Sequence, residues 1–224
     1  MPERAPNWLL IAAESREFAG ILKRADSVHR LDWPGVAFAR EIEWRGSKWL
    51  LAANGPGTHL AGRTLHTLPE VDRIASVGFC GALDPALRIG DIVVSGEFPQ
   101  GGNSGFVRGA VLSLDRVIVT ESEKRRLWDT TGASVVEMES AVVEARAREW
   151  GLPFCCVRCV SDTARENMPL DFNRYRDSAG RFARGRIALA ALGRPAAIPG
   201  LLRLNRNCRL AAESLGVFFA HCQI

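Results

Sequence analysis

Two spacings of apolar residues recur along the chain and predict its secondary structure. Short, mostly apolar runs at 8–13, 73–79 and 153–160 are typical of buried strands. Segments whose apolar residues recur every three or four positions, such as 15–22 and 138–150, predict helices. This repeated alternation of strands with helices predicts an α/β domain with three layers.

Turn and cap signals predict further elements. Residues 36–44 alternate in polarity, and a Gly-containing turn leads them into 49–53, which predicts a hairpin. A strand at 134–136, a helix at 138–150 and a strand at 153–160 together predict a parallel crossover unit. The other predicted strands are 91–95 and 116–120, and the other predicted helices are 55–68, 121–131, 186–192 and 201–215.

Length and composition restrict the class of protein. The chain has 224 residues, of which 47% are hydrophobic and 24% charged, and this suits one globular domain while excluding disordered and coiled-coil proteins. No apolar stretch approaches the roughly 20 residues that cross a bilayer. Because the short polar start lacks the apolar core of a signal peptide, we expect a cytoplasmic protein.

The net charge of +4 is unevenly distributed along the chain. Residues 171–224 contain nine arginines and three acidic residues, whereas 1–170 are slightly acidic. We therefore expect a main domain over 1–170 and a basic helical C-terminal extension over 171–224, packed on the same domain. A nucleic-acid surface would interleave its basic residues with aromatic ones, which this extension does not do regularly, so we expect no nucleic-acid partner.

The cysteines do not predict a metal site. Cys156 and Cys159 have the C-x-x-C spacing, but they fall within the predicted strand 153–160. Residues three apart on a strand point to opposite faces, so these two thiolates could not share one metal ion. We expect no metal, and the cysteines are interpreted as small core residues.

Acidic residues follow two of the predicted strands. Glu137 and Glu139 stand where a strand passes into a helix, and Asp162 follows a buried strand directly. Ligands of α/β sheets bind at strand ends, and paired carboxylates cleave glycosidic bonds by protonating the leaving group and activating water. Asp and Glu also cap helices, so spacing alone leaves both interpretations open.

Several ordered motifs resemble the purine nucleoside phosphorylase and nucleosidase superfamily. These are a Glu-Met-Glu segment at 137–139, an Arg-x-x-Ser-Asp strand end at 158–162, a glycine-rich turn at 77–85 and the strand that follows it at 89–95. The resemblance runs from residue 8 to about residue 165. It implies a three-layer α/β/α sandwich around a mixed central sheet, an enzyme that cleaves N-glycosidic bonds, and a homo-oligomer.

The resemblance also implies roles for individual residues. Asp162 would protonate the departing purine, with Ser161 orienting its carboxyl group. Glu139 would bind the ribose hydroxyls and stabilise an oxocarbenium-like transition state. Met138 would line the ribose, and Gly81 would let the backbone approach the substrate.

Three glutamates complete the set of candidate residues. Residues 13–17 resemble the N-terminal segment in which nucleosidases keep a water-activating glutamate. Glu17 fits that position best, because apolar residues follow it at helical spacing; Glu14 competes for the role, and an ordinary surface glutamate is the alternative for either. Glu137 is a further candidate for substrate binding.

The chain also departs from the family pattern. Ser76 and Phe79 replace the usual phosphate-binding residues, leaving Arg40, Arg63 or Arg158 as substitutes, and residues 119–124 lack the aromatic that stacks on the base. We expect no cofactor; inorganic phosphate and water are the alternative co-substrates.

Motifs at 168–170, 177–181, 193–195 and 198–204 resemble the hopanoid-associated phosphorylases in particular. This resemblance implies a lipid-linked substrate such as adenosylhopane, and a basic extension that meets the inner membrane peripherally. The alternatives from other classes are a non-catalytic nucleoside-binding protein and a membrane-peripheral protein that retain the fold.

Overall fold

The computed structural model describes residues 5–99 and 105–222, and these build a mixed ten-stranded sheet with helices on both faces. The strands are β1 (Trp8–Ala12), β2 (Ser27–Arg30), β3 (Phe38–Trp44), β4 (Ser47–Ala53), β5 (Arg73–Ala82), β6 (Ile92–Gly96), β7 (Val107–Arg108), β8 (Val111–Ser113), β9 (Val135–Glu137) and β10 (Phe154–Asp162). The main path of the sheet runs β2-β3-β4-β1-β5-β10-β6-β7, and β9 joins the end of β5 and pairs with β8.

Six α-helices and three short 3-10 turns connect these strands within the described ranges. The helices are α1 (Ala19–Leu22), α2 (Thr58–Thr64), α3 (Glu121–Thr131), α4 (Ser140–Glu149), α5 (Arg184–Leu192) and α6 (Ile198–His221), and the 3-10 turns are Ser15–Phe18, Phe172–Tyr175 and Pro195–Ala197.

Strand β1 shows how the sequence produces the three layers. Successive side chains of a strand point to opposite faces of the sheet. Trp8 and Leu10 pack in one core cluster with residues of α1 and α6, whereas Leu9 and Ile11 pack in another with residues of α4. The three-layer α/β sandwich around a mixed sheet is therefore confirmed.

The centre of the sheet is the parallel pair β5 and β10. Its register shifts between Val160 and Asp162, so that Asp162 lies beside Gly81 instead of continuing the regular ladder. Val136 of β9 pairs with the same Gly81 from the antiparallel direction. Three chain segments thus meet at the carboxyl end of β5.

This arrangement corrects the predicted parallel crossover over 134–160. Strand β9 is antiparallel to β5, and β10 is parallel to β5, so the strands before and after α4 run in opposite directions. The physical reason is the shortness of β9, which pairs with only the last two residues of β5 and never reaches the middle of the sheet. The predicted hairpin is confirmed by the antiparallel pair β3 and β4.

Other element predictions need correction. Residues 116–120 form no strand, and β2 and β8 were not predicted. Helix α2 ends at Thr64, before the predicted end at 68. Helix α6 has 24 residues and runs through Pro199 and Gly200, because both fall in its first turn, where the proline N–H would have no intrahelical acceptor.

The C-terminal extension contributes to the core through α6. Phe219 packs edge-on against Trp49 of β4 at 5.7 Å between ring centroids, and Ala211 and Leu215 belong to the same buried cluster. The boundary at residue 170 stays a prediction. Within the described parts of the chain no single helix is long and apolar enough to cross a membrane; α5 and α6 satisfy length and composition only as a pair bent by 116°.

Candidate active site

A cavity of about 460 Å³ lies at the carboxyl ends of β1, β5 and β10. This is the edge of the sheet at which α/β folds bind their ligands. One wall comes from these strand ends and from the residues just before α4, and another comes from the C-terminal extension. All seven predicted site residues line the cavity: Glu17, Gly81, Glu137, Met138, Glu139, Ser161 and Asp162.

Asp162 is buried at the end of β10. Ser161 Oγ lies 3.0 Å from its Oδ1 atom, in the position predicted for an orienting hydroxyl. Gly81 is needed beside it, because a Cβ atom at this position would lie 2.9 Å from Asp162 Oδ2. Burial raises the pKa of Asp162 above the usual aspartate value, although the charge and hydrogen bond of Lys124 oppose this rise.

Lys124 of α3 is the main residue that the sequence did not indicate. Its Nζ atom lies 2.5 Å from Asp162 Oδ2 and 2.7 Å from the Thr163 carbonyl oxygen, and its side chain is 1% exposed. Lys124 shares helical spacing with Leu127 and Trp128, which belong to the apolar face of α3. That spacing places Lys124 on the apolar face, but a lysine there does not by itself predict a buried partner.

Arg158 of β10 lies at the centre of a buried carboxylate cluster. Its Nη2 atom donates to Glu137 and to Ser76 Oγ, the latter at 2.5 Å, and lies 3.7 Å from Glu139 Oε2. Its Nε and Nη1 atoms have no hydrogen-bond acceptor among the described residues. Arg158 therefore links these carboxylates from a fully buried position.

Glu137 joins Arg158 to the start of α4. Its carboxylate accepts hydrogen bonds from the backbone N–H groups of Glu139 and Ser140 and from the Ser140 hydroxyl at 2.6 Å. Burial would raise the pKa of Glu137, but Arg158 and these hydrogen bonds hold it below the usual value. With its oxygens engaged in this way, Glu137 positions Arg158 and α4; its predicted contact with substrate stays a prediction.

Glu139 reaches the cavity from the residue before α4. Its Oε1 atom accepts from the backbone N–H of Gly57 at 2.8 Å. Gly57 has a φ of 96°, a conformation that favours glycine. Burial raises the pKa of Glu139 above the usual glutamate value; nearby Arg158 opposes this shift and Glu137 reinforces it. Met138 lies beside it, buried and lining the cavity.

Glu17 is held by two backbone N–H groups. Its Oε1 atom accepts from Phe79 and its Oε2 atom from Glu14, each at 2.7 Å. Gly78 gives it room, because a Cβ atom there would lie 2.4 Å from Glu17 Oε1 and 2.7 Å from Arg158 Nη1. Burial raises the pKa of Glu17, against the lowering effect of these hydrogen bonds and of Arg158.

Glu14, the competing candidate, also lines the cavity but is bound differently. Its carboxylate pairs with Arg16 at 2.6 Å and with Arg184 of α5 at 3.3 Å. Glu14 thus connects the rim of the cavity to the C-terminal extension, whereas Glu17 lies deeper, beside Arg158.

The wall from the C-terminal extension is mainly apolar. Phe172 and Phe182 lie 6.1 Å apart between ring centroids and both line the cavity. They place aromatic surface in the cavity, although the segment at 119–124 lacks the aromatic of the family pattern. Ile187 of α5 and Leu201 and Leu204 of α6 continue this wall. The sequence did not indicate these five residues, because the motifs recognised in this part of the chain assigned no residue a role in the site.

The three arginines predicted to replace the usual phosphate-binding residues lie in different parts of the structure. Arg40 donates to its neighbouring Ala39 carbonyl oxygen and lies over the Phe38 ring, and Arg63 is exposed. Neither lines the cavity. Arg158 adjoins it but is already paired with Glu137.

The cysteines are all buried, as the core interpretation expects. Within 5–99 and 105–222, no group of three or more His, Cys, Asp or Glu side chains is arranged to hold a metal ion. The absence of a cofactor stays a prediction.

Comparison with known proteins identifies the family. A family model described as the phosphorylase superfamily matches residues 11–106 and 100–192. The chain therefore belongs to the phosphorylase superfamily, and the predicted family is confirmed.

Relatives and solved structures are nucleosidases. A 5′-methylthioadenosine/S-adenosylhomocysteine nucleosidase of Shewanella halifaxensis is 24% identical over 213 aligned residues, covering 76% of this chain and 92% of that enzyme. An aminodeoxyfutalosine nucleosidase of Helicobacter pylori is 33% identical over 67 residues, 30% of this chain and 29% of that enzyme. The structure of Helicobacter pylori futalosine hydrolase has the same fold, with a TM-score of 0.70 at 16% identity over 96% of both chains.

Proposed function

We propose that this chain hydrolyses the N-glycosidic bond of a purine nucleoside whose ribose carries an apolar 5′ substituent. The observation that supports this most strongly is the single cavity in which Glu17, Glu139 and Asp162 meet, two of them next to Arg158. Paired carboxyl groups are the usual equipment for glycosidic cleavage. The named nucleosidase relatives support adenine as the base.

Each side chain has a distinct part in the proposed reaction. Asp162 passes a proton to the purine ring as the bond from the ribose C1′ atom to the base breaks, because a purine anion is a poor leaving group. Glu139 binds the ribose hydroxyls, and its carboxyl group, once ionised, stabilises the cationic sugar. Glu17 accepts a proton from the water that attacks C1′. The products are the free purine and the 5′-substituted ribose.

Charge pairing favours water over phosphate as the nucleophile. Within the described ranges, the cations that line the cavity each have a carboxylate partner: Arg16 and Arg184 with Glu14, Arg116 with Glu123, and Lys124 with Asp162. Arg158 adjoins three carboxylates. A phosphate dianion would meet repulsion from these carboxylates, whereas a neutral water molecule would not.

Adenine release from a panel of 5′-substituted adenosines, with and without inorganic phosphate, tests this proposal. We expect release without phosphate, no stimulation by phosphate, and a loss of about 100-fold or more in Asp162→Asn. A strict requirement for phosphate would overturn hydrolysis and favour phosphorolysis. An Asp162→Asn variant as active as the wild type would overturn the site.

The apolar wall supports a bulky apolar substituent on the ribose. Ile187, Leu201 and Leu204 line the cavity and offer a surface that a hydrocarbon group can cover. The resemblance to hopanoid-associated phosphorylases leads us to propose a lipid-linked nucleoside, such as adenosylhopane, as the substrate.

A membrane-surface contact through α5 fits such a substrate. Leu189 and Leu192 of α5 and Leu202 of α6 are 70%, 72% and 65% exposed, and exposed arginines such as Arg186 and Arg194 lie close in sequence. Exposed leucines beside arginines suit an anionic lipid surface. We propose that α5 lies on the membrane while its Ile187 side faces the cavity, in a protein of the cytoplasm that acts as a homo-oligomer without a cofactor.

A further inference from the structure

Asp162 is not an isolated carboxylic acid, because the side chain of Lys124 is paired with it in the protein interior. Both side chains are almost completely buried, at 1% and 8% exposure, and the Nζ atom lies 2.5 Å from Oδ2. The Thr163 carbonyl oxygen accepts a second Nζ proton at 2.7 Å. Lys124 therefore cannot leave Asp162 without giving up both of its acceptors, and a buried charge without partners is strongly unfavourable.

We propose that Lys124 supplies the proton that Asp162 passes to the departing purine. The inference rests on the proposed function, since it concerns the same glycosidic cleavage. It assigns the acid to a pair of residues instead of a single carboxyl group.

The position of Lys124 in α3 favours release of a proton from its Nζ atom. Thr120 caps α3 and accepts from the Glu123 N–H, so Lys124 follows directly after the first turn of the helix. The N-terminus of a helix carries partial positive charge and disfavours a cation nearby. Moving the proton from Nζ to Asp162 neutralises both groups, so the pair stays neutral overall before and after the transfer.

The proton balance of the step is as follows. The bond between C1′ and the purine nitrogen breaks, and its electron pair stays on the purine. A proton passes from Lys124 Nζ to Asp162 Oδ2, so that Asp162 is neutral between the two transfers, and Asp162 then gives a proton to a purine ring nitrogen. These transfers leave Asp162 ionised and Lys124 as a neutral amine. The attacking water gives one proton to Glu17, which releases it to solvent, and solvent returns one proton to Lys124 when the base departs.

Two substitutions and two substrates test the inference. Lys124→Met removes the proton, and Lys124→Arg keeps a positive charge but cannot release a proton, because the guanidinium pKa exceeds 12. Each variant is assayed with an adenine nucleoside and with 4-nitrophenyl β-D-ribofuranoside, whose leaving group departs without protonation. Lys48→Met is the control, because Lys48 is an exposed lysine that pairs with Glu41 away from the cavity.

We expect both Lys124 variants to lose about 100-fold or more in kcat on the adenine nucleoside. On the nitrophenyl riboside we expect the kcat of both variants to stay within about threefold of the wild-type value. The loss of activity then depends on whether the leaving group needs a proton. Equal losses on both substrates, or wild-type activity in Lys124→Arg, would overturn the inference. A wild-type protein that releases no adenine from any nucleoside would instead overturn the proposed function itself. Thermal unfolding of each variant verifies that it is folded.

Discussion

Among single residues, Glu17 and Glu14 offer the sharpest comparison. Both line the cavity, but Glu17 lies beside Arg158 while Glu14 pairs with two arginines at the rim. We expect Glu17→Gln to lower kcat by about 100-fold or more, because the amide cannot accept a proton from water. Glu14→Gln should change kcat by less than about tenfold. Steady-state kinetics of both variants verify this, and a larger loss in Glu14→Gln would assign the water-activating role to Glu14.

The pH dependence of the reaction follows from the burial of Glu17. Burial raises its pKa above the usual glutamate value of about 4.3, and the carboxylate acts as a base only when ionised. Activity should therefore fall as the pH drops through this raised value, and the acid limb of kcat/KM should lie above the range of an ordinary glutamate. A profile of kcat/KM against pH verifies this. If kcat/KM instead falls near the ordinary glutamate pKa, and still does so in Glu17→Gln, the prediction is contradicted.

The sequence indicated the carboxylates of the site and, within the Arg-x-x-Ser-Asp motif, Arg158, but it did not indicate Lys124. Glu139 and Asp162 were found because they stand in ordered motifs, and Glu17 because apolar residues follow it at helical spacing. Lys124 follows Glu121-Ser122-Glu123, and such a charged run resembles a solvated helix face. Its burial depends on α3 packing beside the end of β10, a long-range contact that local spacing does not specify.

At the level of elements, the crossing of α1 and α6 depends on two glycines. A Cβ atom on Gly20 would lie 2.1 Å from the Ala212 carbonyl oxygen, and one on Gly216 would lie 2.2 Å from the Gly20 carbonyl carbon. The two backbones thus touch without side chains between them.

Gly216→Ala should therefore destabilise the protein. We expect a loss of about 1–3 kcal/mol in the free energy of unfolding, because the added methyl group forces α6 away from α1. Gly185→Ala is the control, since nothing lies within 4 Å of its Cβ position. Chemical denaturation of both variants measures the difference. Unchanged stability in Gly216→Ala would show that α6 shifts without cost.

Helices and strands were predictable where a single pattern of apolar spacing or turn residues covered the segment, as in β1, α3 and the hairpin of β3 and β4. The direction of β9 was not, because a three-residue strand has no pattern that distinguishes a parallel from an antiparallel partner. The predicted helix 201–215 is shorter than α6, because proline and glycine normally disfavour a helix and Pro199 and Gly200 precede that segment. Because both residues lie in the first turn of α6, they do not interrupt the helix.

For the whole molecule, the uneven charge has a structural explanation. Arg24 pairs with Glu213, Arg184 with Glu14 and Arg203 with Glu166, so ion pairs connect the extension to the acidic main domain. Because Leu215 and Phe219 also complete the core, removing residues 171–224 would expose it. Truncation is therefore unsuitable for testing membrane binding, and surface substitutions are needed.

A variant with Leu189→Ser, Leu192→Ser and Leu202→Ser tests the membrane surface. We expect it to lose most of its binding to vesicles of anionic phosphatidylglycerol while keeping its unfolding temperature, because all three side chains are exposed. Val28→Ser with Leu68→Ser is the matched control, since these exposed apolar residues lie outside the extension. Vesicle sedimentation measures binding, and equal binding by all three proteins would contradict the proposed contact.

The buried cysteines have a practical consequence for measuring how this molecule opens. Burial raises the thiol pKa of Cys80, Cys155, Cys156 and Cys159, and a thiol reacts with an alkylating reagent chiefly as the thiolate. These residues belong to β5 and β10, the central strands of the sheet. The labelling rate of Cys155, Cys156 and Cys159, which do not line the cavity, therefore reports in native buffer the frequency with which the middle of the sheet separates, without any introduced probe.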